Sequence, residues 1–301
     1  MIPCRHFYSD TNIFAVADSI VHEMQAEEIS YFLVKDFKDN FIGIFSTNDM
    51  LQYLSALTRH DIELARVIQK GIVKEYQQHI DKTFEIVCSS IMAQVVGGDF
   101  YTIQNIQNDK IFMALCDVSG KGVAASLVTA FLYGMMHNYK FYEGLSEFVN
   151  DLNRMFIKTF NLEKFVTGQF IVFDPKNGEL TICEMGHPFA YLFRDAKLQA
   201  LEEESHNMPI GVTAEIQAKE LIYQMQAGDI ILIVTDGINE QTDPDGNVFS
   251  LDDLAIEIEK YKTLPLNRIS VRILEFFHNF RKRTPLHDDA TFLLLRYMGN
   301  Q

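Results

Sequence analysis

The sequence predicts an α+β fold: antiparallel sheets packed together with helices outside, preceded by a small α/β unit. Three observations carry this expectation. From Thr83 onward, short apolar runs bounded by turn residues recur to the end of the chain. They come in clusters separated by pairs of helical segments, and turns such as Asp174-Pro175-Lys176-Asn177-Gly178 join neighbouring strands as hairpins. Residues 1–56 carry a separate helix–strand–turn–strand–helix pattern.

Composition narrows the class. With 301 residues, 48% apolar and 22% charged, the chain can bury a sizeable core in one large domain or two smaller ones. A net charge of −15 argues against non-specific binding to nucleic acid or an anionic membrane, since both present phosphate. The longest apolar runs, such as Ile230 to Val234, are too short to cross a bilayer, and no charged-then-apolar leader opens the chain. Cys4, Cys88, Cys116 and Cys183 show no CxxC spacing, and the three in or beside apolar runs read as reduced core thiols, so the cytoplasm is the expected compartment.

In order, Ile13 to Met24 reads as a helix, with Ile13, Val16, Ala17, Ile20 and Met24 at helical spacing. Tyr31–Val34 and Phe41–Phe45 are strands around a polar turn, and a helix starts near Thr47 to Asp49. From Leu51 to about Ile80 the chain is helix-compatible and free of proline. Leu54, Leu57, Leu64, Ile68 and Ile72 form one apolar stripe, suited to packing on its own domain or pairing with a twin helix. Gly71 interrupts it, as a hinge or as part of an ordinary linker helix. The expected division is 1–56, a linker helix 57–82, and a large domain 83–301. In that domain strands are expected at 84–89, 99–104, 110–117, 165–173, 180–184, 218–224, 229–235 and 290–297, a hairpin over 191–201, and helices at 123–139, 145–159, 250–260 and 267–280.

The chemistry is carried by acids at strand ends. Asp99 follows Gly97-Gly98, and Asp117 ends the run Ile111–Cys116 and opens into Ser119-Gly120-Lys121-Gly122. Asp236 terminates Ile230–Val234 before Gly237, and Asp288-Asp289 stand before the last strand. One Asp-Gly pair usually makes a turn; acids at four strand ends under one rule point to a shared site. Oxygen-only ligation selects Mg²⁺ or Mn²⁺ over zinc, and two such ions can activate water for displacement at phosphorus. No cysteine has an arginine six residues on, which argues against a cysteine-nucleophile phosphatase.

Two resemblances extend this reading. Gly43-Ile44-Phe45-Ser46-Thr47-Asn48-Asp49, within the pattern of residues 1–56, resembles a single CBS motif. That resemblance implies an adenine-nucleotide site in which the Ser46 hydroxyl meets phosphate and Asp49 meets ribose. The alternative is that Ser46 and Asp49 cap the following helix. Further on, Gly97-Gly98-Asp99-Phe100-Tyr101, Asp117-Val118-Ser119-Gly120-Lys121-Gly122, Gly186-His187-Pro188, Thr235-Asp236-Gly237 and Asp288-Asp289-Ala290-Thr291 resemble the PPM/PP2C-type phosphatases. The nearest branch is that of sporulation stage II protein E and the sigma-factor regulatory phosphatases, and Leu64 to Val73 resembles its preceding helix.

The second resemblance implies an αββα sandwich and a metal-dependent protein serine/threonine phosphatase working through metal-activated water. Asp117 and Asp236 are then catalytic. Two or more Mn²⁺ or Mg²⁺ ions would be held by Asp99, Asp117, the Val118 carbonyl, Asp236 and Asp288, with Asp289 the alternative to Asp288. The implied substrate is a phosphorylated anti-sigma-factor antagonist of the STAS type, and the first 80 residues would regulate the enzyme through a homodimer. Lys121 stands where many relatives carry histidine, so it offers charge to phosphate or sits in solvent. Gly168 lies in a strand where relatives are bulkier. His187 could touch substrate or be structural. The competing function is a catalytically weak, nucleotide-sensing interaction module.

Overall fold

The computed structural model describes residues 5–21, 30–141, 144–201 and 207–299. The chain divides into two compact units, Met1–Leu64 and Ala65–Gln301.

In the first unit, β1 (His6–Tyr8), α1 (Ile13–Ile20), β2 (Tyr31–Lys35) and β3 (Phe41–Ser46) precede the long α2 (Thr47–Ile72), which runs on into the second unit. The Asn12 side chain accepts from the Phe14 amide and starts α1. Met24, expected on this helix, lies outside the described residues. The three strands pair in the order β1-β2-β3, the first pair parallel and the second antiparallel. Val16, Ile20, Phe32 and Met50 form a small core of their own.

One expectation fails at the end of α2. The helix stops at Ile72, and Tyr76–Ile80, read from sequence as its continuation, forms β4. Gln and His tolerate a helix, but here the backbone finds hydrogen-bond partners along the open edge of β5 (Phe84–Ile91). Tertiary pairing outweighs a weak local propensity. The apolar stripe of α2 is covered only in part: Leu54 and Ile72 pack against buried cores, while Leu64 and Ile68, with Val67 beside them, are 50%, 63% and 61% exposed.

The second unit is a sandwich. A six-stranded antiparallel sheet runs in the order β11 (Lys197–Ala200), β10 (Ala190–Arg194), β13 (Ile230–Val234), β14 (Ala290–Tyr297), β5, β4. A five-stranded antiparallel sheet runs β12 (Leu221–Gln224), β9 (Glu179–Met185), β8 (Val166–Asp174), β7 (Ile111–Val118), β6 (Phe100–Asn105). Helices α3 (Val123–Asn138) and α4 (Leu145–Phe160) pack on the five-stranded sheet. A short α5 (Asp236–Asn239) follows β13, and α6 (Leu251–Tyr261) and α7 (Leu266–Arg281) cover the six-stranded sheet. The layers are thus helix, sheet, sheet, helix, as expected.

Alternation along the strands makes this arrangement. Ile231, Ile233, Leu293 and Leu295 join the large core shared with the five-stranded sheet. Ile230, Leu232, Val234, Phe292 and Leu294 point the other way, into a second core under α6 and α7. Both faces of β13 and β14 are therefore apolar, which is why these strands read as continuous hydrophobic runs. Gly168 has a packing reason: a Cβ there would lie 2.9 Å from the Cys116 sulfur on the neighbouring β7. Such burial anchors the strand ends, and every acid singled out from the sequence in this unit sits at one of those ends.

Candidate metal centre and active site

Sheet register brings the acids together. Phe100 pairs with Cys116, so Asp99, just before β6, and Asp117, the penultimate residue of β7, flank neighbouring strands. In the other sheet Val234 pairs with Phe292, which places Asp236 and Asp288-Asp289 at adjoining strand ends. The two sheets are tied at this point: the Thr235 hydroxyl donates to the Asp99 carboxylate at 2.9 Å.

Glycines allow the close approach. A Cβ on Gly97 would lie 2.2 Å from Asp289 Oδ2, one on Gly98 would meet the Val118 carbonyl at 2.9 Å, and one on Gly237 would strike the Asp289 carbonyl at 2.0 Å. Each would have to displace a neighbour.

The tandem acids have separate environments. Asp289 is buried, and its carboxylate accepts from the amides of Ala93 (2.7 Å) and Gly98 (2.6 Å). It clamps the loop that carries Asp99. Asp288 faces a cavity of about 360 Å³, together with Asp117, Val118, Lys121, Asp236 and Glu240. Lys121, expected to meet phosphate or solvent, is bonded to the protein: its ammonium lies 2.9 Å from Asp288 Oδ2 and donates to the His287 carbonyl at 2.8 Å.

Burial and mutual repulsion set the charge state. Asp117 is pushed up to about 7, first by burial and then by Asp236, Asp288 and Asp289, while Lys121 works against the rise. Asp99 is raised well above the carboxylate range by burial, then by Asp117 and Asp289, against hydrogen bonds from Thr291 and Thr235. Asp236 is raised by burial, then by Asp288 and Glu240. One oxygen of Asp236 is buried without a hydrogen-bond partner.

That orphaned oxygen, the oxygen-only donor set and the exposed face of Asp288 suit a hard divalent cation. Among the described residues no group of three or more acidic, histidine or cysteine side chains is placed to hold a metal ion as it stands.

Other predicted residues fall outside this chemistry. His187 is buried, its Nε2 lies 2.8 Å from the Val234 carbonyl, and burial lowers its pKa to about 4. It is a neutral wall residue. Ser46 and Asp49 bond each other: the Ser46 amide and hydroxyl both donate to Asp49 Oδ2 (2.8 and 2.6 Å), and the Asp49 amide donates back to Ser46 Oγ at 3.2 Å. This is a reciprocal cap at the start of α2.

Sequence reasoning missed two residues. Glu240 stands at the cavity four positions after Asp236, a spacing that becomes legible only once the turn after β13 is known to be helical. Gln69 on α2 is buried. Its amide nitrogen donates to the Gly97 carbonyl at 2.7 Å, and its amide oxygen accepts from the Gly97 nitrogen at 3.0 Å. A single glutamine in a polar helix carries no signal of this.

Comparison with known proteins defines the class first. The model of the stage II sporulation protein E (SpoIIE) family matches residues 107–298, well over half of the chain, and the chain belongs to that family. Its layered fold is shared with the SiaA-PP2C domain of Pseudomonas aeruginosa, with a TM-score of 0.64 at 17% identity, over 81% of this chain and 98% of that one. It is also shared with the catalytic domain of the phosphatase PstP solved with two manganese ions, with a TM-score of 0.53 at 14% identity, over 72% and 99%. Among curated proteins, the phosphoserine phosphatase RsbU of Bacillus subtilis (strain 168) is 21% identical over 254 residues, which cover 84% of this chain and 74% of RsbU. The phosphoserine phosphatase RsbP of the same strain is 23% identical over 248 residues, 79% of this chain and 58% of RsbP. No helix among the described residues is long and apolar enough to cross a membrane.

Proposed function

We propose that the chain is a Mn²⁺- or Mg²⁺-dependent phosphatase that hydrolyses phosphoserine or phosphothreonine on a regulatory protein. The observation that carries this is the gathering of Asp99, Asp117, Asp236 and Asp288 at one end of the two sheets, with a buried, unanswered oxygen on Asp236. In this reading Asp117, Asp236 and Asp288 hold the ions from the cavity side, with the Val118 carbonyl beside Asp117. Asp99 acts from below, oriented by Thr235. Asp289 positions the Asp99 loop and is not a ligand. When bound, two or more such ions supply activated water and neutralise phosphoryl charge. Glu240 adds negative charge at the rim and favours cation loading over anion capture.

A phosphorylated STAS-type anti-sigma-factor antagonist is the proposed substrate, supported by the relatedness to RsbU and RsbP. The uncovered Leu64, Val67 and Ile68 on α2 support a homodimer through that helix. The test is manganese-dependent release of phosphate from a phosphoserine STAS protein and from p-nitrophenyl phosphate. Asp117→Asn should abolish both while leaving the fold intact; wild-type turnover in that variant would sink the assignment.

A second reading, a nucleotide-sensing CBS-like unit in residues 1–56, is favoured by its strand order, one parallel and one antiparallel pair. The mutual bonding of Ser46 and Asp49 weighs against it. Calorimetry with ATP and AMP, with Ser46→Ala as control, decides: no heat removes the sensor and leaves the phosphatase reading untouched.

A further inference from the structure

Lys121 is the only cation among the described residues that lines the cavity. It is framed by Gly120 and Gly122, both with positive φ (+85° and +78°), so the turn that presents it is one that other residues adopt only with strain. Its anchor is fixed from the far side. The His287 amide donates to the buried Gln241 side chain at 3.4 Å, and the His287 ring bonds Thr242 at 2.9 Å. The His287 carbonyl that receives Lys121 is thereby held in place.

Asp288 is bonded on both oxygens. Oδ1 accepts from the Asp289 amide at 2.9 Å, and Oδ2 meets the Lys121 ammonium at 2.9 Å. A carboxylate so engaged can still ligate a cation, but it does so with a fixed positive charge one bond away. Both side chains are a little over one third exposed, so water screens the repulsion without cancelling it.

We propose that Lys121 is a resident counter-cation of the centre: it orients Asp288 and makes the ion that uses Asp288 the weakly held, exchangeable one. The inference rests on the metal-dependent reading above and adds an order of affinity among its ions. The Asp288 ion, next to the bonded ammonium, is the one whose occupancy follows the free metal concentration. Lys121 is here a positioning residue, acting through Asp288.

The test is Mn²⁺ binding to the full chain, followed by titration calorimetry and by the loss of the free-ion electron paramagnetic resonance signal. Lys121→Met should bind its weakest Mn²⁺ on the order of tenfold more tightly with unchanged stoichiometry, the scale expected for removing one partly screened charge near a dication. Lys121→Arg, which keeps the charge, should stay within about twofold of wild type. Lys121→Gln serves the same purpose if the methionine variant melts early. Equal or weaker binding of the last ion in the neutral variants overturns the proposal. Failure of the underlying reading looks different: wild type, or Asp117→Asn as well as wild type, would then give the same Mn²⁺ isotherm as buffer.

Discussion

Asp49 and Asp236 occupy matching places in their two units: each follows a strand and stands in the first turn of a helix. Their surroundings differ. Asp49 is exposed and accepts both donors of Ser46, which hold its carboxyl below the usual range. Asp236 is half-buried, one of its oxygens has no partner, and burial with Asp288 and Glu240 raises its pKa. A satisfied acid at a helix start is a cap and stabilises the fold locally. An unsatisfied acid in the same position costs stability, and only a ligand can offset that cost. The comparison separates structure from function where the sequence shows the same residue in the same place.

The largest expected effect breaks the comparison on the functional side. Asp236→Asn should lower manganese-dependent hydrolysis on the order of 1000-fold, the scale of several kcal/mol of charge stabilisation, and should weaken Mn²⁺ binding as well. Steady-state kinetics with calorimetry reads both. Asp289→Ala should act on stability, because it leaves the buried Gly98 amide and the half-buried Ala93 amide without their acceptor. A loss of about 3 kcal/mol, seen as a melting point lower by roughly 6–12 °C, is expected.

The third prediction concerns pH in the absence of metal. An unfolded aspartate titrates near about 3.9, whereas Asp117 in the fold titrates near about 7. Between these values the folded protein holds the extra proton, so this group's contribution to stability falls as pH rises from about 4 to about 7. His187 acts in the opposite sense. It titrates near about 4 in the fold against about 6.5 unfolded, so its contribution is lost as pH falls through that window. The comparison must therefore be between wild type and Asp117→Asn. In chelator at pH 8 the variant should melt roughly 4–8 °C higher than wild type, and the gain should vanish near pH 4. A constant difference across that range would contradict the raised pKa.

Smaller effects sharpen the structural side. Gly168→Ala should cost about 1–3 kcal/mol through its approach to Cys116, measured by denaturant unfolding, with activity retained in the folded fraction. Asp49→Ala should cost about 1 kcal/mol locally, seen as faster amide exchange at the start of α2, and should leave p-nitrophenyl phosphate turnover unchanged.

Much of the second unit was legible because its strands and helices are written locally. Ile230–Val234 and Ile111–Cys116 are apolar on both faces and bounded by acid and glycine, so their ends announce themselves. Tyr76–Ile80 was misread because its polar residues suit a helix, and its strand character comes from β5, whose amides it meets only after folding. The division of labour between Asp288 and Asp289 was not written locally either. It depends on Gly97-Gly98, about 190 residues away, admitting one carboxylate and leaving the other to the cavity.

The sequence by itself determined which residues are acids at strand ends, that glycines accompany them, and that only oxygen donors are offered. Those properties live within windows of a few residues, where apolar period and turn chemistry act. The tertiary structure alone decided which oxygens are answered. Asp49 meets Ser46, Asp289 meets a backbone loop, Asp288 meets Lys121, and Asp236 keeps one oxygen free of any partner. Hydrogen bonding and charge are settled by distance in space, and sheet pairing brings residues 99, 117, 236 and 288 to one place.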